Sequence, residues 1–246
     1  MIQFKNLKKN FGSREILRGL DLTISKGEII FLLGKSGVGK SVLLKMIVGL
    51  MAPSSGEILL DGEEISNKSE EEFFEVRKKC GMVFQHPALF DSLSIFDNVA
   101  FGLRKSLKLN EEEVLTRVKK SLELVHLKTN EDFYNKKASE ISYGTQKRVS
   151  LARSLAVAPE VLLFDEPTTG LDPISTNAIN NLIQNLSRTL NTTSIVVSHD
   201  MECALAIADQ IVVLNEGMII AKGTPQEIRT NQLPVVKEFM AEVKHG

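Results

Sequence analysis

Apolar and polar positions along the chain switch repeatedly between two periods. Residues 2–7 and 20–24 have the pattern of strands, whereas 28–33, Glu28-Ile29-Ile30-Phe31-Leu32-Leu33, is almost continuously apolar, as in a strand covered on both faces. Gly34 ends that run, and a helical pattern follows over 39–49. A strand at 57–60 closes on the turn pair Asp61-Gly62, a charged helical stretch covers 70–79, and 80–84 reads as another strand. Over 86–155 the pattern changes: helices are predicted at 94–102, 111–126 and 144–157, with no strong strand. Strand character resumes at 161–165, followed by a helix at 174–190, a strand at 194–197, a helix at 201–208 and a hairpin of 211–214 and 218–222 around Asn215-Glu216-Gly217. The alternation predicts an α/β fold with a mainly parallel sheet. One domain is expected, with a core of 1–85 and 156–225, a helical subdomain inserted over 86–155 and a short helical tail over 226–246.

Composition narrows the class. The 246 residues include 30 basic and 31 acidic side chains, a net charge of −1, and 43% are hydrophobic, which excludes disordered, collagen-like and disulfide-scaffold chains. The charges are interspersed, so no single-sign footprint for nucleic acid exists and a phosphate backbone is not the expected partner. Cys80 and Cys203 stand outside any CxxC or Cys/His cluster and read as small buried hydrophobes in a reducing cytosol. The first residues contain no apolar signal-peptide core, and no apolar run approaches the roughly 18 residues of a spanning helix. Action at a membrane would need other chains to span it.

The chemistry begins at Gly34-Lys35-Ser36-Gly37-Val38-Gly39-Lys40-Ser41, which matches G-x-x-x-x-G-K-[ST] between a buried strand and a helix start. Glycines let successive N–H groups point at phosphates, the helix N-terminus adds its dipole, Lys40 reaches the β- and γ-phosphates, and Ser41 ligates Mg²⁺, with Val42 next in the helix. A glycine loop can also merely turn a strand into a helix, but the full pattern in this context favours the nucleotide. Lys40 is expected to face solvent.

Val161-Leu162-Leu163-Phe164-Asp165-Glu166 has the form of a buried strand delivering two acids to the sheet's carboxyl edge. Asp165 would hold Mg²⁺, directly or through water, and Glu166 would polarise the attacking water. Strands often end in solvated acids, so the pair gains its weight from the phosphate loop.

With further motifs the chain resembles the ATP-binding subunits of ABC transporters. Ser142-Tyr143-Gly144-Thr145-Gln146-Lys147-Arg148 is similar to that family's signature, usually Leu-Ser-Gly-Gly-Gln. Gln85 matches the Q-loop glutamine, Thr169-Gly170-Leu171-Asp172 the D-loop, and His199 the switch histidine, while Phe11 stands where an aromatic stacks on adenine. The resemblance, over about 2–225, implies a P-loop NTPase core with a small antiparallel β-subdomain and an inserted α-helical subdomain. ATP hydrolysis at a dimer interface is implied, with Mg²⁺ held by Ser41, Gln85 and Asp165, and with Ser142, Gly144 and Asp172 facing nucleotide across the interface. Implied partners are integral-membrane permease subunits and a second copy of the chain, at the cytoplasmic side of the inner membrane; the resemblance also leaves room for an accessory substrate-binding protein.

Blander readings stand beside several of these. Phe11 is either a core anchor or an adenine platform, Gln85 an ordinary loop amide or a sensor of γ-phosphate or Mg²⁺, and His199 a helix cap or a link between γ-phosphate and water. His86, His126 and His245 have no such context and read as surface or structural.

The segment after Gln85 carries the clue to cargo. Ala88-Leu89-Phe90-Asp91-Ser92-Leu93 is similar to a run in the Mla-type subfamily, which moves phospholipids between bacterial membranes, although Pro87 replaces its glycine. A docking surface shared with small-molecule importers, for example of amino acids, is the alternative, and a chromosome or DNA-repair ATPase is a third reading that lacks its coiled-coil or zinc-hook insertion. Tyr143 departs from the signature glycine. Glycine there would permit close approach to the opposite nucleotide or a positive φ, in which a residue with Cβ costs on the order of 1 kcal/mol, and Tyr143→Gly would keep or raise activity.

Overall fold

The structure, a computed structural model, describes residues 1–107 and 109–242. In chain order it comprises β1 (Ile2–Phe11), β2 (Arg14–Ile24), β3 (Ile29–Leu33), α1 (Lys40–Ile47), β4 (Ser55–Leu60), β5 (Glu63–Glu64), α2 (Glu70–Lys79) and β6 (Cys80–Val83). Then come α3 (Ile95–Ser106), α4 (Glu111–Leu124), α5 (Glu131–Tyr134), α6 (Tyr143–Ala156), β7 (Val161–Asp165) and α7 (Pro173–Leu190). The last elements are β8 (Thr193–Ser198), α8 (Met201–Ile207), β9 (Gln210–Asn215), β10 (Met218–Gly223), α9 (Pro225–Arg229) and α10 (Pro234–Glu242).

Six strands form the main sheet in the order β10-β9-β3-β8-β7-β6, parallel from β9 to β6, with β10 as an antiparallel edge. A second, antiparallel sheet has the order β2-β1-β4-β5. The continuous apolar runs are explained by burial on two faces: Phe31, Leu162, Phe164 and Val196 pack toward α3, α4, α6, α7 and α8, while Ile30, Leu32, Leu163 and Ile195 pack toward α1 and the antiparallel sheet. Both cysteines are buried, and burial pushes the Cys80 thiol up to about 12.

The first two strands are longer than their patterns suggest. They form one hairpin across Gly12 and Ser13, and register shifts between Phe4 and Leu7 and again between Lys9 and Asn10 break the two-residue period. The helix expected at 94–102 continues to Ser106, and Ser94 caps it by accepting from the Asp97 N–H at 3.0 Å. β5, α5 and a 3-10 turn at Ala138–Glu140 are too short to leave a periodic signal. Among the described residues between 86 and 155 there are four α-helices and no named strand, only an isolated bridge between Ser94 and Lys137. The described part of the tail holds α9 and α10, and 243–246 lie outside the described residues.

This topology gathers the chemistry at one edge. β3, β6, β7 and β8 are parallel, so the loops after Leu33, Val83, Asp165 and Ser198 leave the sheet on the same side, the carboxyl edge at which α/β sheets bind ligands.

Candidate active site

β3 runs straight into the phosphate loop. A Cβ on Gly34 would lie 2.7 Å from the Leu214 carbonyl oxygen, and Gly39 has φ 107°, so both positions require glycine. Gly39 is also the N-cap of α1 and supplies no side-chain bond, and the first turn carries no acid. The leading N–H groups of α1 are therefore left to an external acceptor, with the positive end of the helix dipole behind them.

Lys40 differs from expectation. It is 6% exposed rather than solvent-facing, because its ammonium donates to the carbonyls of Gly34 at 2.6 Å and Lys35 at 3.2 Å, holding the loop curled beneath it. It also lies 4.0 Å from Glu166 Oε1. Burial lowers its pKa, and the Glu166 and Asp165 carboxylates work in the opposite direction.

Asp165, the last residue of β7, is buried and accepts from the Ser41 hydroxyl at 2.6 Å. Glu166 follows in the left-handed region, φ 50°, its N–H donating to the Val197 carbonyl at 2.9 Å. A non-glycine residue held there stores strain of about 1–3 kcal/mol and marks a side chain whose direction matters. Its Oε2 accepts from Thr169 Oγ1 at 3.2 Å and lies 2.8 Å from His199 Nδ1, which places the imidazole proton on Nδ1. The helix after His199 is capped by Asp200, which accepts from the Cys203 N–H, so capping does not occupy the histidine.

These groups face a cleft of about 850 Å³. Phe11, Lys35, Ser36, Gly37, Gly39, Lys40, Ser41, Val42, Gln85, Glu166 and His199 line it. Phe11 is 48% exposed at the end of β1, so it is not a core anchor, and the Lys9 ammonium sits 5.1 Å from its ring centroid. Gly34 lies beneath the loop, Asp165 reaches the cleft through Ser41, and Val38 lines a neighbouring cavity of about 620 Å³ shared with Gly37. Sequence reasoning missed Arg14, Ile16 and Phe239 as lining residues and left Thr169 without a role of its own. Thr169 had a signal, its place three residues after Glu166; the others reach the cleft only through tertiary packing.

Ser142, Gly144 and Asp172 do not line this cleft. Ser142 is the N-cap of α6, and with Gly144 it lines a separate cavity of about 240 Å³ together with Thr145 and Arg148. A Cβ on Gly144 would meet nothing within 4 Å, so this surface is open to approach. Asp172 caps α7, accepting from the Ile174 and Ser175 N–H groups at 3.0 Å and from the Ser175 hydroxyl at 2.6 Å; chiefly that hydroxyl holds its carboxyl below the usual carboxylate range.

Tyr143 opens α6 as its first helical residue and is not among the positive-φ positions. The backbone strain that Tyr143→Gly would have relieved is therefore absent, and with it one of the two reasons to expect a gain. The phenol instead turns back on its own chain, 3.4 Å from the Gln85 carbonyl oxygen and 3.5 Å from His86 Nδ1. His86 is exposed, His126 sits in a left-handed turn at φ 57°, and His245 lies outside the described residues.

A glycine loop with free helix N–H groups, facing a strained carboxylate across one cleft, is built to hold a polyphosphate beside a water-polarising acid, and the fold and site together define a P-loop nucleoside triphosphatase. The family model described as ABC transporter matches residues 17–169, and the chain belongs to that family as an ATP-binding, ATP-hydrolysing subunit. A Haemophilus influenzae protein described as the intermembrane phospholipid transport system ATP-binding protein MlaF is 43% identical over 246 residues, covering 100% of this chain and 92% of the relative. The sulfate/thiosulfate import ATP-binding protein CysA of Methylococcus capsulatus is 42% identical over 251 residues, covering 100% of this chain and 70% of its own. Among solved structures, cbiO1 from Clostridium perfringens, part of the cbiONQ transporter complex, superposes with a TM-score of 0.84 at 32% identity, covering 98% of each chain. A dimeric structure of the ATP-binding cassette MJ0796 bound to ADP and Pi gives a TM-score of 0.83 at 31% identity, covering 92% of this chain and 99% of that one.

Proposed function

We propose that the chain powers phospholipid transport between bacterial membranes as the paired ATPase of an Mla-type complex. The observation that carries the cargo reading is the 88–93 run beside Gln85. It exposes Phe90, whose ring lies 4.7 Å from that of Phe101, and the two residues are 43% and 40% exposed, an apolar surface suited to a membrane subunit. The phospholipid-transport relative, matched along the whole chain, supports the same reading. Import of a small anion is the second reading, favoured by the 42% identity to a sulfate/thiosulfate importer subunit. Among the described residues no helix is long and apolar enough to cross a membrane; in this reading separate permease subunits span it and the chain acts peripherally at its cytoplasmic face.

In the proposed reaction Lys40 lies against the β- and γ-phosphates, the α1 N–H groups cradle them, and Phe11 offers a face to adenine. Ser41 and Asp165 present two hard oxygens 2.6 Å apart and, with Gln85, fit an ion that shares its coordination with nucleotide phosphates, as Mg²⁺ does. Bound there, Mg²⁺ would neutralise phosphate charge. Glu166 takes the proton of the attacking water, and His199, with Nδ1 committed to Glu166, keeps Nε2 to meet water or γ-phosphate. The open surface of Ser142 and Gly144 lies outside its own cleft, which supports completion of each site by a second copy. The helical segment 86–155 is the part of the chain that relays the resulting motion to the permease.

Two results follow. Ser142→Arg, which drives a bulky cation into that open surface, is expected to abolish turnover while each chain still binds ATP within about twofold of wild type. Steady-state phosphate release and equilibrium binding check it, and normal turnover rejects the shared site. For cargo, the complex purified from membranes is expected to contain phospholipid, and its ATPase rate to change with the lipid composition of the vesicles that hold it. Recovery with a soluble solute-binding protein and without lipid would reject lipid transport in favour of import.

A further inference from the structure

The segment that leads from β6 through Gln85 is largely exposed, yet α6 holds its carbonyl groups one after another. Ser154 Oγ donates to the Met82 carbonyl at 2.9 Å, Arg153 donates to the Ala88 carbonyl at 2.7 Å and the Pro87 carbonyl at 3.2 Å, and the Lys147 ammonium donates to the carbonyl of Gln85 itself. Ala88 is held at φ 50°, a left-handed conformation that a non-glycine residue keeps only when its surroundings impose it.

Lys147 is the unexpected member. It is 2% exposed, and among the described residues its one hydrogen-bond partner is the Gln85 carbonyl. Taking an ammonium out of water for a single neutral acceptor is costly. Tyr143, one helical turn earlier, covers it: the ring centroid lies 5.6 Å from the ammonium, and the phenol oxygen reaches the same carbonyl at 3.4 Å. The same ring approaches the loop after Glu166, since a Cβ on Gly170 would lie 3.7 Å from Tyr143 Cε1.

We propose that Lys147 is a positioning residue that sets the place of Gln85 in the nucleotide cleft and ties it to the signature end of α6, with Tyr143 as its cover. The assignment rests on the reading of Gln85 as a nucleotide sensor. α6 is a single helix of 14 residues, about 20 Å long, capped by Ser142 at one end and bonded to the 82–88 segment along its length. A shift of Ser142 therefore carries the Gln85 carbonyl with it. In the paired assembly Ser142 faces one nucleotide and Gln85 the other, so the Lys147 contact joins the two sites.

Four versions of the full chain test this: wild type, Lys147→Met, Gln85→Ala and the double variant, each measured for ATP affinity, kcat and KM. Methionine keeps the apolar stem and removes only the ammonium. Lys147→Met is expected to lower kcat about tenfold with ATP affinity within about twofold, and to change kcat less than about twofold once Gln85 is alanine, because the two act as one unit. Tyr143→Phe, which removes only the phenol oxygen, is expected to lower kcat about two- to threefold and to have no effect in the Gln85→Ala background; it decides the matter if Lys147→Met does not fold. Multiplicative effects of Lys147→Met and Gln85→Ala, or unchanged kcat in Lys147→Met, overturn the positioning role while leaving Gln85 as sensor. Wild-type kcat in Gln85→Ala overturns the sensor reading and the proposal with it.

Discussion

Glu166→Gln is expected to bind ATP normally and to hydrolyse it about 10²- to 10⁴-fold more slowly, the worth of a positioned general base. The amide keeps the size of the side chain and an oxygen that can accept from Thr169 Oγ1 and His199 Nδ1, so the pocket and the left-handed backbone at 166 are retained. What it loses is basicity. Lys40, 4.0 Å from Oε1, remains available to the phosphates and no longer shares its charge with a carboxylate at 166. Because binding is intact and chemistry is blocked, ATP is expected to hold two copies together. Phosphate release measures the loss, and size-exclusion chromatography with and without ATP measures the association; near-normal turnover would reject Glu166 as the base.

The parallel strands were legible because burial on both faces demands continuous apolar runs, as at Ile29–Leu33 and Val161–Asp165, and the motif residues fell at their ends. The β1–β2 hairpin was only half legible, since its bulges shift which side chains face inward partway along each strand. Arg14 and Ile16, which line the cleft, lie in that unread half, and Phe239 reaches it from α10, far along the chain. Motif spacing placed Glu166 but said nothing of its positive φ, which is imposed by its N–H bond to the neighbouring strand at Val197. Tyr143 misled in the opposite direction. A glycine replaced by tyrosine suggested strain at that position, whereas the residue is ordinary helix and its meaning lies in contacts with Gln85 and Lys147, 58 residues away and one turn away.

Lys40→Ala is expected to weaken ATP binding at least about 10- to 100-fold, since hydrogen bonds to charged groups contribute about 1.5–3 kcal/mol each and the ammonium would lie against two phosphates. The structure adds a second expected effect that a solvent-facing lysine would not have. Its ammonium is the donor to the Gly34 and Lys35 carbonyls, and Gly34 is buried against β9, so truncation leaves an acceptor unmet at a cost of about 1–3 kcal/mol. It also removes the cation beside Glu166 and Asp165, leaving two carboxylates without their nearest countercharge. Removing a desolvated ammonium works the other way, so the net fall in stability is modest, and for a chain of this size about 1 kcal/mol shifts Tm by about 2–4 °C. Lys40→Met is the control for the apolar stem. It keeps the apolar stem but restores neither the donor nor the charge, so its ATP affinity should be as poor as that of Lys40→Ala. Equilibrium binding of a labelled ATP analogue, read beside a thermal melt without nucleotide, decides the outcome: unchanged affinity in either variant would make the loop a structural turn, whereas lost affinity in a chain that still melts cooperatively assigns Lys40 to the phosphates.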